Sequence, residues 1–100
     1  MYYTILTNKE KFTTLLDTPG IELVETWEYY FYGKLMAKYS IVKVHNPKCK
    51  ITLIDNSEER YTNHIPVKFF DYFEDIEEAR NEIRSLARTD DEGQKVVLAS

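Results

Sequence analysis

The segment from Trp27 to Tyr32 carries five aromatic side chains in six residues, and Gly33 follows it directly. A β-strand sends successive side chains to opposite faces, so a run this dense places large rings on both faces of a sheet. One of these faces can be ordinary core, whereas the other needs a cover or a partner. The chain must therefore fold around a strand that presents aromatic surface on two sides.

Residues 21 to 32 alternate with a period of two, which indicates a strand. The odd positions begin with Ile21 and Leu23 and define the core face. Three rings share that phase and are predicted to be core residues: Trp27, Tyr29 and Phe31. The even positions leave Tyr30 and Tyr32 on the opposite face, where they need a separate explanation.

Gly33 marks a turn, and residues 35–44 are predicted to return as the second strand of a hairpin. A two-residue turn that begins at Gly33 pairs Trp27 with Ser40 and brings polar groups onto the aromatic face. A three-residue loop centred on Gly33 separates apolar from charged residues, so we favour it. This second register gives the pairs Trp27–Tyr39, Glu28–Lys38 and Phe31–Leu35.

Two helices are predicted outside the hairpin. Thr7 and Glu10 have the spacing of a capping box, which predicts a short helix from Asn8 to Asp17 that ends before Pro19. Asp75 has the position of a helix cap, and the second helix is predicted to continue through Arg88. Five apolar residues of this helix share one stripe: Ile76, Ala79, Ile83, Leu86 and Ala87.

Four further strands are predicted, over residues 2–6, 49–54, 61–70 and 95–98. In the third of these, Pro66 cannot donate to a sheet and argues for an edge strand or a bulge. The inward residues of that strand are predicted to be Ile65, Val67 and Phe69.

The 100 residues, of which 43% are hydrophobic, fit a single compact domain over residues 1–100. The predicted fold class is α+β, with an antiparallel sheet of four to six strands. A short N-terminal helix and a longer C-terminal helix are expected to pack mainly on one face of this sheet.

Cysteine usage and the N-terminus suggest a location. Cys49 is the only cysteine, so the chain has no internal disulfide and suits a reducing compartment. The N-terminus does not resemble a secretion signal, and no apolar stretch could span a bilayer. We therefore expect a cytoplasmic protein without membrane contact.

No residue pattern predicts catalysis, a metal or a cofactor. His45 and His64 lack a second ligand at metal-binding spacing, and Cys49 is in phase with apolar strand residues, which favours a buried core position. The three glycines are too widely separated for a phosphate-binding loop. We expect a protein that is not an enzyme, and a small enzyme with a site between subunits is the least favoured alternative.

The net charge of −4 hides an internal division. Residues 71–92 hold nine acids and three arginines, whereas residues 34–50 hold five lysines and no acid. An alternative function is therefore nucleic-acid binding through the basic segment, although the overall acidity counts against it. The contact residues of this alternative are Lys34, Lys38, Tyr39, Lys43, Lys48 and Lys50.

The favoured function is that of a non-catalytic, small intracellular protein-binding module or inhibitor. Tyrosine and methionine are enriched in protein interfaces, and the even face of the hairpin offers both types. The second helix carries arginines at intervals of four, which repel one another and so need acidic partners, either Glu22 or Glu25 of the same chain or another protein. The predicted partner-binding residues are Tyr30, Tyr32, Met36, Arg80, Arg84 and Arg88.

The sequence does not identify the partner, and two kinds are considered. One variant is nucleic-acid-handling machinery, because the acidic segment of residues 71–92 could enter a basic groove. Self-association into a homodimer is another.

Overall fold

The computed structural model describes residues 1–56, 59–87 and 93–99. These residues form a seven-stranded antiparallel sheet and one α-helix, α1, at Ile76–Ala87. The strands are β1 (Tyr2–Lys9), β2 (Phe12–Thr14), β3 (Ile21–Phe31), β4 (Lys34–Val44), β5 (Lys50–Asp55), β6 (Thr62–Pro66) and β7 (Gln94–Leu98). Their order across the sheet is β6-β5-β2-β1-β4-β3-β7. The α+β class with an antiparallel sheet is confirmed, and the described sheet has more strands than the predicted four to six.

The predicted N-terminal helix over residues 8–17 is wrong. These residues instead form the end of β1, a tight turn and β2, which pairs with β5 on its other side. The Asn8 Oδ1 accepts a hydrogen bond from the Thr14 N–H at 2.6 Å, and the Thr14 hydroxyl donates to the Thr7 carbonyl at 2.9 Å. A helix this short is marginal alone, so the sheet pairing on two sides outweighs the capping signal.

The β3–β4 hairpin follows the favoured register through its middle, where Trp27 pairs with Tyr39 and Glu28 pairs with Lys38. The predicted Phe31–Leu35 pair is wrong, since Phe31 pairs with Lys34. The turn consists of Tyr32 and Gly33, both with positive φ, of 49° and 82°. Such a turn matches the twist of the strands, and a bulge in β4 absorbs the difference of one residue.

Strand β4 packs apolar side chains on both faces. The helix core lies between the sheet and α1 and contains Ala37, Tyr39, Ile41, Ala79 and Ile83. The far core lies on the other face and contains Leu6, Val42, Val44, Cys49, Ile51 and Val67. Cys49 is thus buried, as its phase predicted, and β1 and β4 form the centre of the molecule.

Helix α1 begins after Asp75, whose Oδ1 accepts the Glu78 N–H at 3.0 Å, so the predicted aspartate cap is confirmed. Ala79 and Ile83 are fully buried against the sheet, whereas Leu86 is 49% exposed. The predicted apolar stripe is therefore buried over its first two turns and open at Leu86.

Two aromatic residues assigned to the core are exposed. Phe31 lies at the end of β3 beside the turn, where no strand or helix of the described chain covers it. Phe69 lies in a short 3-10 turn at Val67–Phe69, because the strand before it ends at Pro66. Strand β6 forms an edge of the sheet, as the missing N–H of Pro66 predicted.

Candidate protein interface at the hairpin tip

Exposed apolar side chains gather at the tip of the β3–β4 hairpin. Tyr32 is 70% exposed, and Leu35 and Met36 are 41% exposed each. The Phe31 and Tyr32 rings meet edge to face, with their centroids 4.7 Å apart. We call Phe31, Tyr32, Leu35 and Met36 the tip patch. Single apolar residues scattered over a surface are normal, whereas several exposed at one hairpin tip are typical of an interaction site.

A groove of about 620 Å³ runs beside the tip patch, between the hairpin and β7. Its walls include Tyr30, Tyr32, Lys95 and Val97. A second groove of about 370 Å³ lies on the opposite side of the tip, where Leu35 and Met36 contribute to the lining. The patch therefore has a concave surface on both sides.

Gly93 fixes the position of the Tyr32 side chain. The Tyr32 N–H donates to the Gly93 carbonyl at 2.7 Å, and the Tyr32 ring lies against the glycine. A Cβ at residue 93 would overlap that ring, and the φ of 87° also favours glycine. The sequence signals a polar break at Gly93, and nothing in the local pattern connects it with the hairpin.

Tyr30 is anchored to its own strand. Its hydroxyl donates to the Glu28 Oε1 at 3.1 Å, and this bond raises the pKa of Tyr30. Glu28 also lies 3.8 Å from the Lys38 Nζ, as the hairpin register predicted. The Tyr30 ring is half-buried, so it forms a wall of the groove, whereas Tyr32 and Met36 project from the surface.

Among the residues that the structure describes, lysines outnumber acids around the tip patch. The charged residues that line its grooves or neighbour them are Lys9, Lys34, Lys38, Lys95, Glu10 and Glu28. Since Glu28 is already paired with Lys38, the surplus positive charge belongs to the rim of the patch. This electrostatic pattern favours a partner that brings carboxylates to the rim.

Arg80 is engaged within the chain. Its guanidinium binds both carboxylate oxygens of Glu25 on β3, with an Nε–Oε1 distance of 3.0 Å, and it also pairs with Glu77. The hydrogen bonds from Arg80 hold the pKa of Glu25 below its usual value, although burial of the carboxyl opposes the shift. Of the acidic partners considered from the sequence, Glu25 of the same chain is the one that pairs with Arg80. This pair joins α1 to the sheet.

The other two arginines of the predicted ridge differ from Arg80. Arg84 donates to the Asn81 Oδ1 at 2.9 Å, and its guanidinium lies 5.9 Å from the centre of the Trp27 ring. Arg88 lies outside the described residues. Arg80 and Arg84 therefore contact their own chain and do not line the grooves beside the tip patch.

The lysine-rich segment does not form one surface. Tyr39 is only 5% exposed in the helix core, so the expectation that its ring could stack a base is wrong. Lys38 and Lys43 are five positions apart on β4, which places them on opposite faces of the sheet, and Lys43 lies 6.0 Å from the Tyr3 ring. The remaining lysines, Lys34, Lys48 and Lys50, are exposed.

No protein family, curated protein or solved structure matches this chain. Among the residues that the structure describes, no helix has the length and apolar character that crossing a bilayer requires. The same residues contain no cluster of three metal-binding side chains. The tip patch is therefore the feature of the described residues from which a function can be inferred.

Proposed function

We propose that this protein is a small, non-catalytic binding module that regulates or inhibits a partner protein through the tip patch. The observation that carries the proposal is the exposure of four large apolar side chains in one place, beside two grooves. Burying such side chains in a partner removes apolar surface from water and supplies the main favourable free energy of association.

The geometry of the patch supports a specific interface. Tyr32 is held by its backbone bond and by contact with Gly93, so its ring loses little conformational entropy on binding. Met36 lies on the bulge of β4, lines the other groove and can adapt its shape to a partner surface. Large aromatic side chains such as Tyr32 are typical anchors in protein interfaces.

The rim of the patch indicates the chemistry of the partner. Apolar side chains of the partner would occupy the groove that Tyr30 and Val97 line, and its carboxylates would meet Lys34 and Lys95. The apolar groove and its lysine rim together favour a partner segment that is both apolar and acidic. Nucleic acid, by contrast, would need a continuous basic surface, which the opposite placement of Lys38 and Lys43 does not offer.

The proposal includes a reducing compartment such as the cytoplasm. The Cys49 thiol is buried in the far core, and burial raises its pKa, which keeps it protonated and unreactive. A thiol in this position serves as a small apolar core residue and needs no oxidised partner.

An affinity capture from the native host, with the tagged full chain as bait, tests the proposed function. We expect the double variant Leu35→Ser, Met36→Ser to reduce recovery of a partner at least tenfold relative to the wild-type chain. Phe69→Ser is the matched control, because Phe69 is 72% exposed but lies outside the tip patch. Retention of the partner by the double variant, or its loss in the Phe69 control alone, would contradict the proposal.

Thermal unfolding of the same variants separates binding from folding. Since Leu35 and Met36 are substantially exposed, the unfolding midpoint of the double variant should remain close to the wild-type value. A large decrease in the midpoint would show that these side chains belong to the core, and the tip patch would then not be a binding surface.

A further inference from the structure

Strand β7 forms one edge of the sheet and borders the groove beside the tip patch. Two hydrogen bonds at its ends define its pairing with β3: Tyr32 donates to Gly93 at 2.7 Å, and Ala99 donates to Thr26 at 2.8 Å. In an antiparallel pair, residues alternate between those that bond to the neighbouring strand and those that point their backbone groups away from it.

This alternation decides which groups of β7 face outward. Lys95 and Val97 are in phase with Gly93 and bond to β3, so Val96 and Leu98 direct their N–H and C=O groups toward the free edge. No strand in the described part of the chain pairs with this edge. The edge therefore offers two donors and two acceptors to an incoming strand.

The opposite edge of the sheet is formed by β6, which contains a proline. The Val67 N–H donates to the Cys49 carbonyl at 3.0 Å, and the same alternation directs the backbone of Pro66 and His64 outward from β6. Because Pro66 has no N–H, it interrupts the row of donors at that edge and discourages pairing. Strand β7 has no proline, so the two edges are unequal as pairing surfaces.

The side chains next to the free edge also suit an extended ligand. Lys95 pairs with Tyr30 across the sheet, and Val97 follows two residues later on the same face. Both line the 620 Å³ groove. A strand added to β7 would point alternate side chains to this face, one opposite Lys95 and another opposite Val97.

We propose that the partner protein adds an extended segment to β7 as an antiparallel eighth strand. This inference rests on the proposed function, because it names the way in which the partner reaches the tip patch. Charge complementarity defines the segment: an apolar residue lies opposite Val97, and an acidic residue lies opposite Lys95 two positions later in the partner. Backbone bonds to Val96 and Leu98 supply affinity, and the two side-chain positions supply specificity.

A peptide titration followed by amide chemical shifts tests strand addition without any variant of the protein. The probe is a synthetic hexapeptide whose central residues are two valines followed by glutamate. We expect shift changes along β7 and at Tyr30, with affinity at least tenfold weaker when lysine replaces the glutamate. An N-methyl group on the peptide amide that faces Val96 should also weaken binding at least tenfold, because it removes a backbone hydrogen bond to β7. The absence of shifts on β7 at millimolar peptide would overturn the proposal.

Two variants of one residue test the natural partner. Val96→Pro removes the outward N–H and leaves the bonds to β3 in place, whereas Val96→Ala shortens the side chain and keeps the N–H. Recovery of the partner should fall at least tenfold with Val96→Pro and should stay at the wild-type level with Val96→Ala. Equal recovery with both would overturn strand addition.

The variants also separate the two proposals from each other. If the Leu35, Met36 double variant loses the partner and Val96→Pro retains it, the tip-patch function stands and strand addition fails. If only Val96→Pro loses the partner, the tip-patch function fails. Sedimentation of the wild-type chain completes the test: a concentration-dependent dimer that Val96→Pro abolishes would assign the edge to a second copy and overturn the partner segment.

Discussion

Thr4 and Thr14 are buried threonines on β1 and β2 whose hydroxyls have different surroundings. The Thr14 hydroxyl donates to the Thr7 carbonyl at 2.9 Å, whereas the Thr4 hydroxyl has no hydrogen-bond partner among the described residues. A buried hydroxyl that loses water without gaining a partner costs about 1–3 kcal/mol. The same residue type thus stabilises the fold at one position and opposes it at the other.

Replacement of each threonine by valine, which has nearly the same shape, tests this difference. We expect Thr4→Val to raise the free energy of unfolding by about 1 kcal/mol, because it removes the unpaired hydroxyl. Thr14→Val should lower it by about 1 kcal/mol, since it breaks a bond. Denaturant unfolding measures both, and destabilisation by Thr4→Val would show that its hydroxyl has a partner.

Strand phase predicts some residues well and others not at all. Trp27 and Tyr29 pack against the helix core, as predicted for core residues, but Ile21 packs against the far core. The predicted common face of these residues is wrong, because a bulge between Leu23 and Glu25 shifts the alternation of β3. Tyr32 owes its position to Gly93, a contact between distant segments that no local period encodes. At the candidate site, the sequence therefore predicts the exposure of Tyr32 but not that of Phe31, and it does not predict the contact with Gly93.

At the scale of the secondary-structure elements, the ion pair between Glu25 of β3 and Arg80 of α1 joins the sheet to its helix. Glu25 is mostly buried, and the Trp27 Nε1 also donates to its Oε1 at 3.1 Å. Arg80 lowers the pKa of Glu25 below the ordinary value of 4.5, so the folded state binds this proton less readily than the unfolded state. Folding and the ionisation of Glu25 are therefore coupled.

Glu25→Gln should lower the free energy of unfolding near neutral pH, and this loss should be smaller at acid pH. The contribution of the carboxylate is fully present above the unfolded pKa and is lost as pH falls through the lowered folded pKa. The difference in unfolding free energy between wild type and variant should hence shrink between about pH 6 and about pH 3. Glu77→Gln is the control, because this second partner of Arg80 is 64% exposed and should have little effect.

The elements themselves illustrate where sequence patterns succeed. Helix α1 follows from an aspartate cap and an uninterrupted apolar stripe, both of which are local signals. The segment at residues 8–17 also has a capping pattern. It forms a strand instead, because it pairs with β5, which lies some forty residues later in the chain. The hairpin tip shows the same limit, since a bulge that the alternation does not reveal changes the pairs beside the turn.

At the scale of the whole molecule, the two cores lie on opposite faces of the same central strands. Ile51 is fully buried in the far core, and Ile83 is fully buried in the helix core. Strand β4 contributes side chains to both, so neither core can open without exposing residues of the shared strand. We expect the whole sheet, including β5 and β6, to unfold together with the helix.

Ile51→Val and Ile83→Val test this arrangement. Each substitution should cost about 0.5–1.5 kcal/mol, and the double variant should lose the sum to within about 0.5 kcal/mol, because the two sites share no contact. All three variants should unfold in a single transition when followed by tryptophan fluorescence and by circular dichroism. Separate transitions for the two probes would contradict a common cooperative unit.

The overall architecture is only partly predictable from composition and charge. An antiparallel sheet follows from alternation and turn residues, which act over short distances. The order of the strands depends on pairings such as β1 with β4 and β2 with β5, which compete with many alternatives of similar local quality. The basic segment of residues 34–50 does not form one surface, because Lys38 and Lys43 lie on opposite faces of the sheet.

The contact between Tyr32 and Gly93 also sets an order of events during synthesis. The hairpin leaves the ribosome long before the residue against which its tip ring rests, so a growing chain exposes the aromatic run without its support. Only after β7 docks beside β3 does the ring gain its fixed position and the groove its second wall. A growing chain that still lacks β7 therefore presents neither the supported ring nor the complete groove.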